Sequence, residues 1–297
     1  MIDYKKFVEN SRKWLAKYIE DNHLQSIIIG ISGGIDSTIS CALVYPVCEK
    51  FSIPLIGRSL PTSTNAGIET VSADLVGTAF CNDYKEVNLE LLSEDFNKLL
   101  LIEEGDISNL QKGNIKARLR MIYLRHLASV HRGIVLDNDN FTEWNLGFWT
   151  VGGDSPMDIN LGLHYLWKTQ VYQLGSYLLE EIYDKVVDTN IYSKQYYALY
   201  TSYRITPTDG NGVSKSDCEQ FGLTNYDQVD DVLQTMYYSH YPNSIRALSE
   251  DDLNKEYSRL IDSYNEQGVD KVMVLHQNTE FKRKPAPIMP TREELEL

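Results

Sequence analysis

One segment near the start of the chain constrains the fold most, because it reads as a strand, a loop of small residues and a helix. The apolar run is Ser26-Ile27-Ile28-Ile29-Gly30-Ile31, the loop is Ser32-Gly33-Gly34-Ile35-Asp36-Ser37, and a helical pattern runs from Thr38 to about Tyr45. Glycines let the backbone approach an anion closely, and the free N–H groups of a helix's first turn point toward it. The segment therefore predicts a phosphate cradle.

The polar side chains of the loop fit this interpretation. Ser32 and Ser37 can donate hydroxyl groups to phosphate oxygens, and Asp36 can hold a Mg²⁺ ion that neutralises them. No lysine follows the glycines, which excludes the Walker A loop. The pattern is that of the SGGxDS pyrophosphate loop, found in enzymes that cut ATP between its α- and β-phosphates. An ordinary tight turn between a strand and a helix is the alternative.

Composition limits the partners. The 297 residues carry a formal net charge of −14, and 42% of them are hydrophobic. That apolar content is typical of a chain with a buried core. The acidic balance argues against nucleic acid, whose binding needs clustered Lys and Arg. We therefore predict no nucleic-acid partner, which disfavours the tRNA-modifying enzymes that share this loop.

Cysteine spacing and hydropathy indicate a reducing, cytoplasmic location. Cys41, Cys48, Cys81 and Cys218 have neither the spacing of a disulfide framework nor that of a zinc site. Cys41 is expected in a buried helix, which Pro46 is expected to end or kink. The N-terminal segment lacks the continuous apolar core of a signal peptide, and no later segment reaches membrane-spanning length. No membrane association is expected.

Helical and strand patterns alternate along the chain. An opening helix covers about Tyr4–Asp21, and strands are predicted near Ser26–Ile31, Ile53–Leu60, Tyr84–Leu89 and Gly133–Leu136. Such alternation predicts an α/β fold with a parallel sheet and helices on both faces. Ligands of these sheets bind at the carboxyl ends of the strands. We expect one domain over residues 1–297.

An amphipathic helix is predicted from Asn114 to Val130. Its apolar stripe is formed by Ile115, Leu119, Ile122, Tyr123, His126, Leu127 and Val130. Arg118 lies at the edge of this stripe. His126 is interpreted as a core or interface residue rather than a catalytic one. Arg120 and Arg125 are interpreted as solvated charges.

Carboxylates cluster after the fourth predicted strand. They lie in the segments Leu136–Glu143 and Gly152–Asp158, and Lys168 follows at a helix start. Carboxylates repel a polyphosphate unless a divalent metal lies between them, so Asp36 and Glu143 form a candidate Mg²⁺ pair. Lys168 can pair with a phosphate. An acidic surface loop with N-capping aspartates is the alternative.

The C-terminal half is less informative. Helices are predicted at about Thr169–Tyr183 and through Leu253–Tyr264, with a polar, tyrosine-rich stretch at Tyr192–Tyr203. A turn-forming segment, Thr206–Gly212, follows, and a basic cluster lies at Phe281–Lys284. The tyrosine-rich stretch is interpreted as part of a surface flap.

Several of these motifs together resemble the NAD synthetases. They are the loop Gly30–Ser37, the helix opening Asn114–Met121, Asp139–Trp144, Gly153-Asp154, Lys168–Val171, Pro207–Gly210 and Lys282-Arg283, in the order and approximate spacing of that family. The resemblance covers most of the chain. It implies a Rossmann-like doubly wound sheet of the adenine nucleotide alpha hydrolase type, with the segment 204–297 completing the substrate site.

The resemblance implies an amide-forming ligase of NAD biosynthesis. The carboxylate of nicotinic acid adenine dinucleotide (deamido-NAD) would attack the α-phosphate of ATP, releasing pyrophosphate, and ammonia would then displace AMP from the adenylated acid. Mg²⁺ is the implied cofactor, ATP a co-substrate, and a homodimer the implied assembly. A glutamine-hydrolysing domain needs a much longer chain, so free ammonia is the expected nitrogen source unless a separate subunit supplies it.

The resemblance also assigns roles to residues. It implies that Gly30, Ile31, Ser32, Gly33, Gly34, Ile35, Asp36, Ser37, Asn138, Lys168 and Thr208 bind ATP, and that Asp36 and Glu143 bind Mg²⁺. Arg118, Asp158, Phe281 and Lys282 are the implied contacts to deamido-NAD.

Four departures from the family pattern accompany the match. Asp137-Asn138 replaces the usual Gly-Thr, Ser155 replaces the last residue of Gly-Asp-Gly, and Phe281 replaces His in the terminal His-Lys-Arg. The stretch from Asp158 to Lys168 is one residue longer and lacks a proline. Two alternatives therefore stay open: another ligase with this loop that adenylates a different acid, and a nucleotide-binding regulator without catalytic activity.

Overall fold

The computed structural model describes residues 2–63, 65, 67–186, 193–208, 216–240 and 249–283. Within these, five parallel strands form one sheet in the order β3-β2-β1-β4-β5. The strands are β1 (Ser26–Gly30), β2 (Leu55–Ser59), β3 (Asp83–Glu86), β4 (Gly133–Asp137) and β5 (Ile159–Asn160). The chain order reverses between β1 and β4, which is where such sheets bind ligands. The predicted doubly wound α/β fold is confirmed.

Twelve α-helices lie in the described residues. They are α1 (Tyr4–Asn22), α2 (Ile35–Phe51), α3 (Gly67–Phe80), α4 (Glu90–Glu104), α5 (Asn109–Val130), α6 (Phe141–Leu146), α7 (Lys168–Val186), α8 (Lys194–Tyr203), α9 (Asp217–Phe221), α10 (Tyr226–His240), α11 (Glu250–Ser263) and α12 (Glu266–Asn278). Two short 3-10 helices span Leu163–Tyr165 and Glu280–Arg283. None of the helices within the described ranges has the length and apolar content to cross a membrane.

Both faces of the sheet are covered because successive side chains of β1 point to opposite sides. Ile27 and Ile29 belong to the core formed with α1, α2, α3, α7 and α8. Ile28 packs with Leu124 and Ala128 of α5 on the other face. A third apolar cluster joins α6 to α9, α10, α11 and α12. These C-terminal helices therefore pack beside the strand ends, next to the candidate site.

Pro46 was predicted to end or kink its helix, and the first of these is wrong, because α2 continues to Phe51. A proline removes one helical hydrogen bond and frees the carbonyl four residues earlier. That carbonyl, of Ala42, accepts a hydrogen bond from the Arg12 guanidinium at 3.1 Å, and Arg12 is held in turn by Glu181 at 2.9 Å. A tertiary contact thus replaces the missing bond. All four cysteines are free thiols, and Cys41 is buried as predicted.

Three further predictions need correction. The helix predicted from Asn114 begins at Asn109. Its predicted apolar stripe is only partly buried, since Ile122 is 65% exposed and Val130 59% exposed. His126 is also exposed rather than in the core. Apolar residues cover two sides of α5, and periodicity alone does not tell which side meets the sheet. The tyrosine-rich stretch is largely the helix α8, packed on α3 and α7, although Tyr192 lies outside the described residues. The predicted third strand, Tyr84–Leu89, is shorter and earlier, at Asp83–Glu86.

Candidate active site

The phosphate loop links the carboxyl end of β1 to the first turn of α2. The N-cap of α2 is Gly34, which brings no side chain to occupy the first amides of the helix. Those amides are left for a ligand. The hydroxyl groups of Ser32 and Ser37 lie 3.2 Å apart, and Ser32 accepts the Gly34 amide at 3.2 Å. The predicted residues Gly30–Ser37 thus form one contiguous turn from the end of β1 into α2, with the geometry expected of an anion site.

The first turn of α3 supports this loop at Gly33. Gly33 has a φ of +88°, and a Cβ there would lie 2.3 Å from the Glu69 carbonyl oxygen and 2.8 Å from the Ala73 nitrogen. The Ser72 hydroxyl also donates to the Gly33 carbonyl at 2.7 Å. Both the backbone conformation and the close packing therefore require glycine at this position.

Gly33→Ala is expected to lower the free energy of unfolding by at least about 1–2 kcal/mol, since it adds left-handed strain to a backbone clash. We expect Mg·ATP binding, measured by calorimetry, to weaken in parallel. Gly67→Ala is the matched control, because a Cβ at Gly67 meets nothing within 4 Å. Equal stability and ATP affinity in the two variants would contradict the proposed packing.

Three charged side chains from separate elements converge beside the loop. The Lys168 ammonium, at the start of α7, lies 2.5 Å from an Asp36 oxygen and 3.1 Å from a Glu143 oxygen. Lys168 is 2% exposed, so its ammonium is held away from bulk water, and both carboxylates are largely buried. The structure thus brings Asp36 together with Glu143 and Lys168, which both lie more than 100 positions later in the sequence. The sequence predicted each of them for the ATP or metal site.

Asn140 fixes the two carboxylates relative to each other. It caps α6: its side-chain oxygen accepts the Glu143 amide at 3.0 Å, while the Glu143 carboxylate accepts the Asn140 amide at 3.2 Å. The Asn140 side-chain NH₂ then donates to Asp36 at 2.9 Å. Asn140 was not among the predicted site residues, although an Asn followed three residues later by Glu is the signature of such a cap.

The surroundings raise the pKa values of Glu143 and Lys168, for different reasons. Burial raises the pKa of Glu143, and Asp36 raises it further while Lys168 lowers it, leaving a value of about 7. Burial lowers the pKa of Lys168, but Asp36 and Glu143 more than compensate and raise it well above its usual value. The ammonium therefore stays charged at neutral pH, whereas Glu143 titrates there.

The pKa of Glu143 predicts a dependence of stability on pH. A raised pKa means that the folded protein holds this proton more tightly than the unfolded chain, so the contribution is complete below about pH 4.5 and is lost as the pH rises through about 7. As the pH rises from 5 to 8 in EDTA, the free energy of unfolding of the wild type is expected to fall by up to roughly 3 kcal/mol relative to that of Glu143→Gln. This figure follows from about 1.4 kcal/mol per pKa unit. Urea denaturation at several pH values measures it. A difference that does not change with pH would refute the assignment.

The acidic pair fits a divalent cation. One ammonium already contacts both carboxylates, so a single cation between Asp36 and Glu143 can reach an oxygen of each. Carboxylate oxygens are the ligands that Mg²⁺ prefers. The carboxylates predicted after the fourth strand form a second acidic group at the end of β4, and His164, which was not predicted there, lies beside them. Asp137, Asp139 and His164 offer ligand atoms within 4.8 Å of one another.

Asn138 reaches the phosphate loop, whereas Asp137 turns away from it. The Asn138 NH₂ donates to the Gly30 carbonyl at 3.2 Å, and within the described residues its side-chain oxygen has no hydrogen-bond partner. The Asp137 carboxylate instead accepts the Ser155 hydroxyl at 3.1 Å and the Met157 amide at 2.8 Å. Two departures from the family pattern, Asp137 and Ser155, therefore contact each other. The added negative charge is taken up by protein donors.

Thr208 lies beside the turn of α3 that packs on the phosphate loop. Its hydroxyl donates to the Glu69 carboxylate in the first turn of α3, the turn that packs on Gly33. This places the predicted ATP contact next to the phosphate loop. The turn-forming residues 209–212, predicted after it, lie outside the described residues.

Two of the predicted substrate contacts meet at the segment 147–151. The Arg118 side chain donates to the Val151 carbonyl at 3.3 Å. The Lys282 ammonium donates to the carbonyls of Gly147, at 2.6 Å, and Trp149, and lies 5.2 Å from the centre of the Trp149 ring. Burial lowers the pKa of Lys282. Phe281, beside it, is 54% exposed.

Asp158, the fourth predicted substrate contact, is engaged elsewhere. Its carboxylate accepts Arg125 at 2.6 Å and the Val135 amide of β4 at 2.8 Å. Arg125 is half exposed, as expected of a solvated charge, and it also pairs with Asp158. Arg120, also predicted as solvated, donates to the Leu60 carbonyl at 3.0 Å, and burial lowers its pKa. Periodicity did not reveal these partners because they come from loops.

The chain is similar to known proteins in both sequence and fold. The sequence profile of the NAD synthase family matches residues 7–286. An NH(3)-dependent NAD(+) synthetase from Thermoplasma volcanium is 29% identical over 238 residues, which are 80% of this chain and 86% of that protein. The structure of an NMN synthetase from Francisella tularensis aligns with a TM-score of 0.71 and 24% identity over 98% of this chain and 100% of that one. An NH3-dependent NAD synthetase from Campylobacter jejuni aligns with a TM-score of 0.64 and 16% identity over 98% and 100%. Since the profile covers almost the whole sequence, the chain belongs to the NAD synthase family.

Proposed function

We propose that the protein catalyses the ATP-dependent amidation of deamido-NAD to NAD with ammonia. The observation that carries the proposal is the convergence of Asp36, Glu143 and Lys168 beside the phosphate loop. An anion-binding turn with a buried cation and two carboxylates suits a reaction in which charge moves among the phosphates of ATP. The curated relative from Thermoplasma volcanium, named as an NH(3)-dependent NAD(+) synthetase, supports the choice of reaction.

In the first step, a carboxylate oxygen of the substrate attacks the α-phosphorus of ATP and pyrophosphate leaves. Nitrogen of ammonia then attacks the acyl carbon, AMP leaves with the former carboxylate oxygen, and the nitrogen loses a proton. The residues Gly30–Ser37 would hold the phosphates, and Lys168 would offset their charge. Because pyrophosphate is a good leaving group and adenylation turns the carboxylate oxygen into one as part of AMP, the protein's task is positioning and charge neutralisation.

Asp36 and Glu143 are the residues that would hold Mg²⁺. When bound, the ion supplies positive charge to the phosphate oxygens and screens them from the two carboxylates. Asn140 would keep both carboxylates in place through its three hydrogen bonds. Asn138, whose side-chain oxygen has no hydrogen-bond partner in the described part of the chain, and Thr208 are proposed to complete the ATP site.

The substrate is proposed to lie along the segment 147–151, between Arg118 and Lys282. Both cations contact carbonyls of this segment, and a dinucleotide carries a pyrophosphate that would attract them. Phe281 would contribute contact area. Thr208 and Lys282 both belong to segment 204–297, and we propose that this segment completes the substrate site of one domain over residues 1–297.

A mononucleotide substrate is the second candidate, since the Francisella tularensis protein is named as an NMN synthetase. Its carboxylic precursor shares the pyridine carboxylate but lacks the adenylyl half. The observation that favours it is the engagement of Asp158, a predicted dinucleotide contact, by Arg125 and Val135. The chemistry at Asp36, Glu143 and Lys168 is the same for both substrates.

Pyrophosphate release from Mg·ATP tests the proposal, with deamido-NAD or nicotinic acid mononucleotide and with or without ammonium. We expect release with deamido-NAD and formation of NAD only when ammonium is present. A higher kcat/KM for the mononucleotide would select the second candidate. Release only with an unrelated acid would indicate another ligase, and no release with any acid would indicate a binding protein.

We also propose a homodimer, because α4 and α5 expose an apolar surface. Its residues include Leu91, Leu92, Leu99, Ile102, Leu110 and Ile122, each at least half exposed. Exposed patches of this kind mark protein interfaces. Sedimentation equilibrium should give twice the chain mass, and Ile102→Glu should shift the equilibrium to the monomer. The cytoplasmic location remains a prediction.

A further inference from the structure

Asp230 is a buried carboxylate that the proposed chemistry does not use. It belongs to α10 and is 1% exposed. One oxygen accepts the Thr142 hydroxyl at 2.5 Å, and the other accepts the backbone N–H of Thr169 at 2.9 Å. A single side chain of the C-terminal helices therefore links the starts of α6 and α7.

These bonds end at the residues next to the charged centre. Thr142 directly precedes Glu143, and its hydroxyl oxygen accepts the backbone N–H of Lys168 at 2.7 Å. Lys168 and Thr169 are the first two residues of α7, whose first amides have no acceptor inside the helix. Asp230 and Thr142 satisfy both amides, and the carboxylate offsets the positive end of the helix.

A second residue of α10 faces the same ammonium. The ring of Tyr226 lies 5.3 Å from the Lys168 nitrogen, and its hydroxyl donates to Asp217 at 2.9 Å. Tyr226 and Asp230 are four residues apart and share one face of the helix. The backbone N–H of Lys168 is thus held by Thr142 and that of Thr169 by Asp230, while the Lys168 side chain lies beside Tyr226.

We propose that Asp230 is a positioning residue for the reaction: it fixes the starts of α6 and α7 so that Glu143 and Lys168 meet Asp36 at the phosphate loop. The proposal rests on the proposed function, since that function makes these three residues the ATP and metal ligands. Small displacements of such groups reduce turnover strongly, because the reaction depends on their placement.

Asp230→Asn tests the role at nearly constant volume. The amide has one acceptor oxygen instead of two, so one of the two donors loses its partner. We expect kcat/KM for ATP to fall about 10- to 100-fold, as for the loss of a hydrogen bond to a charged group. We also expect the rise in melting temperature that Mg·ATP gives the wild type to be largely lost.

Asp231→Asn is the matched control. Asp231 is the next residue of α10, but it binds Arg259 at 2.8 and 3.0 Å and the Tyr264 hydroxyl at 2.8 Å, away from the site. Its loss should lower the melting temperature of the free protein while leaving the kinetics and the shift with Mg·ATP as in the wild type. Equal kinetic losses in the two variants would overturn the positioning role.

A second pair of variants keeps Asp230 intact. Thr142→Val removes the hydroxyl at similar volume and should reproduce the kinetic loss, while Thr142→Ser keeps the hydroxyl and should retain activity. This pair decides the matter if Asp230→Asn does not fold. Equal kinetics in the Val and Ser variants, or wild-type kinetics in Asp230→Asn, would overturn the proposal. A wild type that is inactive on every acid would contradict the proposed function instead, and the shift with Mg·ATP would still test Asp230.

Discussion

Asp36→Asn is expected to lower kcat about 1,000-fold, the order of magnitude found when a pre-organised charge contact in an active site is removed. One Asp36 oxygen binds the Lys168 ammonium at 2.5 Å, and the other accepts the Asn140 side chain at 2.9 Å. A neutral amide is a weak ligand for Mg²⁺ and does not neutralise the ammonium. Pyrophosphate release under saturating ATP, deamido-NAD and ammonium measures the effect.

Asp21→Asn is the matched control, because it removes a surface carboxylate that also pairs with a lysine. Asp21 binds Lys17 at 2.5 Å in α1, and both side chains are more than half exposed. Exposed pairs contribute little, so Asp21→Asn should keep wild-type turnover. Calorimetry with Mn²⁺ gives a readout independent of turnover, and Asp36→Asn should lose most of the affinity. Turnover within tenfold of the wild type would exclude Asp36 from the metal and phosphate site.

The fold was predictable where local sequence determines local structure. The β-branched run at Ser26–Ile31 and the small residues after it lead to β1, the phosphate loop and α2, as observed. The two-residue strand β5 is too short to show a pattern. The effect of Pro46 was not predictable from the local sequence either. Its effect on α2 depends on Arg12, which reaches the freed carbonyl of Ala42 only in the folded protein.

The candidate site was predictable to the level of residue types but not of partners. Motif order identified Asp36, Glu143 and Lys168, yet nothing in the sequence indicates that the ammonium binds both carboxylates. Asp230 carries no signal in the sequence, because its partners Thr142 and Thr169 lie far from it along the chain and meet it only in the folded protein. The family and its class of amide-forming ligases are confirmed by the comparisons, whereas the individual site roles stay predictions.

Lys168→Met is expected to give the largest loss of stability. The ammonium is 2% exposed and offsets two carboxylates, so its removal leaves Asp36 and Glu143 facing each other without a counter-charge. Breaking a buried ion pair in this way costs about 3–5 kcal/mol. We expect that loss in urea denaturation with EDTA present, together with the loss of measurable synthetase activity because the phosphates of ATP lose a cation.

Mg²⁺ should restore much of this stability in Lys168→Met. An ion between the two carboxylates replaces the missing charge, and binding to the folded state alone raises the free energy of unfolding with ion concentration. The wild type without ATP should gain less, because its ammonium already occupies the position between the carboxylates. Lys17→Met, which removes an exposed lysine, should respond to Mg²⁺ as the wild type does. If Lys168→Met is as stable as the wild type in EDTA, or gains no more from Mg²⁺, then the two carboxylates do not form a cation site.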